Sequence, residues 1–269
     1  MVGFIFIVLN SKKDMDNKLN WVSDNDDTEY WAEKITFKDF LGCDPKAPSS
    51  QYGEREGEKV MGLNKENWKN KRGIENFPSF CDFPGRKGVS LPNPCNIIRC
   101  FDQDYYLQGM VLVIIWGNMR RKTNEVFNPK NKPRNENENI QNILKEAKKK
   151  IVVDCPIDDA WYLLEKNLGW RNVFISKVLH FLSRSAGFVN NPPVPIDNAI
   201  IFDRVWQNFI RRVEEKKKAG DKHDKPKSWN SGGICGYLRY MTLINIWAKQ
   251  KNWSTTDIET TLYQKFSEQ

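Results

Sequence analysis

The sequence predicts a mainly α-helical protein in which two helical subdomains flank a cleft, preceded by a loop-rich N-terminal region. Three observations carry this. From residue 140 onward, apolar side chains recur every three to four positions in one segment after another. Residues 105–116 form a nearly continuous apolar run. Residues 41–100, by contrast, are rich in Gly, Pro, Asn and Lys, as in Gly42-Cys43-Asp44-Pro45 and Phe83-Pro84-Gly85-Arg86, and read as loops and short strands with little regular helix. The change in texture divides the chain into residues 1–103, expected to pack on the core, and residues 104–269, the helical core itself. No internal repeat is present.

In chain order, residues 2–9 are apolar but too few for a membrane span, which needs about 20 residues. No basic stretch precedes them and an acidic run, residues 14–27, follows, so they read as a buried strand or an appended start rather than as a signal sequence. Strands are expected only within the first hundred residues. The run 104–116 is long enough for a helix, which Gly117 and Asn118 interrupt, and residues 128–139 read as a loop. Ile140, Ile143, Leu144 and Ala147 mark a basic helix over 140–150. A helix over 158–168 starts behind Pro156 and is ended by Gly169. Helices over 172–185 and 198–215 follow, separated by a proline-rich turn, and 216–227 reads as a charged loop. The terminal helices cover 234–251 and 255–266, the second with Ser254 as cap three residues before Asp257.

Lysine and arginine total 42 against 34 acidic residues, a net charge of +8 that favours a polyanionic partner, nucleic acid before an anionic membrane surface. The six cysteines are scattered without a Cys-x-x-Cys pair, and His180 and His223 are the sole histidines, which argues against both a disulfide scaffold and a metal centre. Reduced thiols, no metal, no cofactor, a cytoplasmic location and a monomeric state are the expectations.

Two residues stand out chemically. In 172–185, Val173, Phe174, Val178, Phe181 and Leu182 form one apolar stripe, and Lys177 lies one turn from both Val173 and Phe181. Burial disfavours the charged form of an amine, so a lysine inside such a stripe is a candidate nucleophile, whereas one at its edge extends its head group to water. Asp197 follows Pro192, Pro193 and Pro195 and immediately precedes the apolar pattern of the next helix. It reads either as a helix cap or as a carboxylate held ionised at a helix N-terminus and able to stabilise positive charge.

The segment Gly169-Trp170-Arg171-Asn172 leading into the helix of Lys177, followed twenty residues later by Pro193-Val194-Pro195-Ile196-Asp197, resembles the helix-hairpin-helix DNA glycosylases of the 8-oxoguanine glycosylase type. The resemblance covers about residues 105–212. It implies a catalytic lysine at Lys177 and a catalytic aspartate at Asp197. It also implies that Asn118, in the break after Trp116, fills the gap left by an extruded base, although a plain Gly-Asn turn reads equally well there. Arg120, Arg121, Gly169 and Arg171 become implied DNA contacts. The usual Gly-x-Gly hairpin is here Gly-Trp-Arg-Asn, and the iron-sulfur cysteine cluster of some relatives is absent. The implied partner is double-stranded DNA carrying a modified base, either 8-oxoguanine or, by similarity to bacterial antiphage DNA glycosylases, a phage base such as glucosylated hydroxymethylcytosine. Abasic-site lyase activity is left open. A non-catalytic DNA-binding module built on the same hairpin is the main alternative, and a helical interaction protein the second.

Overall fold

A computed structural model describes residues 27–48, 69, 74, 76–81, 92–117, 137–154, 157–188, 192–196, 199–226 and 234–267. The described residues form ten α-helices and no strand. The short strands expected in the N-terminal region are therefore not found among them, and residues 2–9 lie outside the described residues.

Two helices occupy the start of the described chain, α1 (Thr28–Lys34) and α2 (Phe37–Leu41). The Thr36 hydroxyl caps α2 by accepting from the Asp39 amide, and Gly42 closes it at φ 72°, a conformation that favours glycine. Next comes α3 (Pro94–Asp102), where helix replaces the expected loop. Asn93 caps the Cys95 amide and Pro94 sits in the first turn, where its missing N–H has no intrahelical partner to lose. The apolar run becomes α4 (Tyr106–Trp116), buried at every position except Gln108.

The following helices are α5 (Asn137–Asp154), α6 (Ile157–Leu168) and α7 (Asn172–Ser185). After the proline-rich turn come α8 (Ala199–Lys218), α9 (Ile234–Lys251) and α10 (Thr255–Ser267). A reciprocal cap starts α10: the Ser254 hydroxyl accepts from the Asp257 amide while the Asp257 carboxylate accepts from the Ser254 amide. The expected charged loop begins later than the sequence suggests, because lysine is a good helix former and Lys216, Lys217 and Lys218 complete the last turn of α8.

The helices pack in two groups. One comprises α3 to α7, with α7 against α3, α4, α5 and α6. The other joins the two ends of the described chain, α1 and α2 lying on α8 and α9, with α10 against α8 and α9. Trp247 holds these ends together. Its ring meets Phe37 at 5.3 Å and Phe40 at 4.7 Å, and its indole N–H donates to the Ile35 carbonyl at 2.8 Å. Each fully buried phenylalanine of this kind contributes roughly 1.5–3 kcal/mol. Between the groups, Trp161 of α6 stacks on Tyr237 of α9 at 4.8 Å. No helix among the described residues is long and apolar enough to cross a membrane.

Candidate active site

The Glu165 backbone carbonyl accepts from the Gly169 amide at 2.8 Å as α6 ends, and Gly169 takes φ 66°, the left-handed conformation that turns the chain toward α7. Trp170 then tucks inward, its ring meeting Phe174 edge-on at 4.5 Å, while Arg171 is extended and exposed at the N-cap of α7. The result is a three-residue helical hairpin with an apolar anchor and an outward cation.

Every residue of α7 from Phe174 to Ser183 is buried, including Ser176, Lys177 and His180. The helix packs against four others, so its polar side chains are buried along with its apolar ones. Lys177 does not extend to the surface: none of it is exposed. Its Nζ donates to the Gly117 carbonyl at 3.5 Å and lies 5.6 Å from the centre of the Trp116 ring. Both residues are at the C-terminal end of α4, where carbonyls not used within the helix carry partial negative charge. Phe181, one turn along, closes on Trp116 edge-on at 5.1 Å.

Residues 192–196 run buried beside this face, and their prolines lack N–H groups, so the carbonyls must be satisfied from other helices. Thr255 donates to the Pro192 carbonyl at 2.9 Å, His180 Nδ1 to Pro193 at 2.8 Å and the Tyr237 hydroxyl to Val194 at 2.7 Å. The Val194 amide points at the Met241 sulfur, 3.3 Å away. Finally the Ile196 amide donates to Ser176 Oγ at 3.0 Å. Three helices from both groups thus fix the turn, and its last bond joins the residue before position 197 to the residue before Lys177. Burial, and secondarily the Arg184 charge, lowers His180 to a pKa of about 3 against the opposing effect of the Pro193 hydrogen bond. Its ring is neutral at physiological pH and serves as a donor in the turn.

Of the residues singled out in the sequence, Lys177, Gly169 and Arg171 are described, and the hairpin places Gly169 and Arg171 at the start of the helix that buries Lys177. Asn118, Arg120, Arg121 and Asp197 lie outside the described residues. Sequence reasoning overlooked Ser176, His180 and Trp116. A signal was available: Ser176 and His180 are polar positions within an otherwise apolar helix, a pattern that calls for buried partners. An open pocket of about 510 Å³ lies elsewhere, lined by Ile35, Lys38, Asp39, Gly42, Arg212, Glu215 and Lys216, with no contribution from α7.

Described residues that are helical without a strand, with a glycine-turned hairpin leading into a helix that buries a lysine beside a proline-rich turn, have the build of the helix-hairpin-helix proteins of the 8-oxoguanine DNA glycosylase type. Sequence comparison agrees: the family described as "Putative 8-oxoguanine DNA glycosylase OGG-like protein" matches residues 98–263, and the chain belongs to it. That match starts within α3 and ends within α10, wider than the resemblance read from the motifs, and leaves α1 and α2 outside. No curated protein and no solved structure gives a significant match.

Proposed function

We propose that the protein is a DNA N-glycosylase that extrudes a modified base from the duplex and cleaves its glycosidic bond, with Lys177 as nucleophile and Asp197 as the stabilising carboxylate. The observation that carries this reading is the complete burial of Lys177 on the helix entered through the hairpin, in a chain of this family. A lysine that served only solubility would gain nothing from losing its hydration.

Extrusion costs a few kcal/mol of stacking, offset by contacts in the pocket. As the glycosidic bond breaks, positive charge develops on the sugar, and the Asp197 carboxylate stabilises it. The neutral amine of Lys177 attacks the anomeric carbon and the base leaves with the bonding pair, taking a proton. Loss of the amine proton and opening of the sugar ring give an imine to the enzyme, which water hydrolyses to an abasic site or which eliminates the 3′ phosphate. Asn118 fills the gap in the duplex, and Arg120, Arg121, Arg171 and the backbone at Gly169 hold phosphates. The family description favours 8-oxoguanine as the base and DNA as the partner; base-excision repair of duplex DNA by a monomer is part of the same proposal.

The test is a panel of duplex oligonucleotides, each with one modified base, including 8-oxoguanine and glucosylated hydroxymethylcytosine, probed for abasic sites with and without alkali. Excision of one member supports the reading, and cleavage without alkali adds lyase activity. Binding to every duplex with excision of none would instead favour a DNA-binding module.

A further inference from the structure

We propose that Cys81 and Cys100 are a dithiol pair that closes to a disulfide when the protein meets an oxidised thiol such as glutathione disulfide. Their sulfurs are 3.3 Å apart and both side chains are buried in the main core, although 19 residues separate them in the chain. Cys100 is on α3, while Cys81 ends a stretch held by its own turn, the Cys81 amide donating to the Pro78 carbonyl at 3.0 Å. The same stretch is fixed to α3 a second time, because the Arg99 guanidinium lies 4.2 Å over the Phe80 ring. Two sulfurs brought together by independent contacts need to approach by little more than about 1 Å to reach bonding distance.

The reaction balances as two exchanges. One cysteine thiolate attacks glutathione disulfide and releases glutathione; the second thiolate then attacks the mixed disulfide and releases another. Two protons leave the protein, and the two thiols lose two electrons to the oxidant. The contact with Cys81, together with burial, pushes the Cys100 thiol above its ordinary range. The pair therefore rests as thiols, and exchange proceeds through local opening of residues 76–81. By contrast Cys43, Cys95 and Cys235 are exposed and form only mixed disulfides.

The test uses the full chain incubated with glutathione disulfide, then unfolded in an alkylating agent and mapped by peptide mass. The expected result is one cross-linked peptide joining Cys81 to Cys100, lost on reduction and lost in both Cys81→Ser and Cys100→Ser. Sub-denaturing urea should accelerate its formation. Recovery of Cys81 and Cys100 as alkylated thiols, while Cys43, Cys95 and Cys235 carry glutathione, overturns the proposal.

Discussion

Replacing His180 with glutamine should change how stability depends on pH, and the size of that change follows from the burial of the ring. Burial depresses the folded pKa to about 3 from an ordinary 6.5, so the unfolded chain takes up the proton first. Linkage then fixes the sign: the neutral ring's contribution is fully present above the unfolded pKa and is lost as pH falls toward the folded one. Between about pH 7.5 and about pH 5.5 the wild type should lose on the order of 1 kcal/mol from this residue, and more as the pH falls further toward the folded pKa. Few carboxylates titrate in the upper part of that window, and the chain has just two histidines, so the signal is legible. His180→Gln has its own cost, about 1–3 kcal/mol at the higher pH, for disturbing the donor to the Pro193 carbonyl. Urea unfolding of both proteins at the two upper pH values measures the gap between them, and His223, present in both, cancels. The gap should narrow by on the order of 1 kcal/mol on acidification. A gap independent of pH would refute a neutral buried imidazole that clamps the turn.

Other consequences are more local. Ser176→Ala leaves the buried Ile196 amide without its acceptor and should destabilise the fold by about 1–3 kcal/mol in the same unfolding assay. Gly109→Ala would bring a Cβ within 2.9 Å of the Phe101 ring, between α3 and α4, and should cost about 1–3 kcal/mol by overpacking. Affinity for duplex DNA, measured by fluorescence anisotropy, should fall steeply with salt as phosphate contacts displace counterions, and a flat response would favour an interaction protein.

The helices were legible where pattern and punctuation agree. The helix of Lys177 is read from sequence with both ends in place, because Gly169 and Arg171 break the chain before it and its apolar stripe stops at Leu182. By contrast α3 was missed, although Asn93 and Pro94 form a start signal, since Pro94 within a loop-rich stretch reads as a breaker. The packing of α1 and α2 on α8 and α9 depends on Trp247 meeting Phe37 and Phe40 across two hundred residues of chain, and no local pattern encodes such a contact. At the site, Lys177 was identifiable by position but its burial was not, because periodicity cannot separate the middle of a stripe from its edge. Ser176 and His180 were overlooked because their partners are backbone groups of the proline turn, invisible until the turn is folded against α7.

The central claim is that Lys177 attacks the sugar. Borohydride reduction during turnover on the excised substrate tests it directly, because hydride converts an enzyme–sugar imine into a stable amine and leaves protein covalently on DNA. The account predicts a trapped complex for the wild type, mapped by peptide mass to Lys177, and none for Lys177→Gln despite nearly unchanged DNA binding. Trapping by Lys177→Gln at the wild-type level, or base excision by the wild type with no trapped complex, would contradict it.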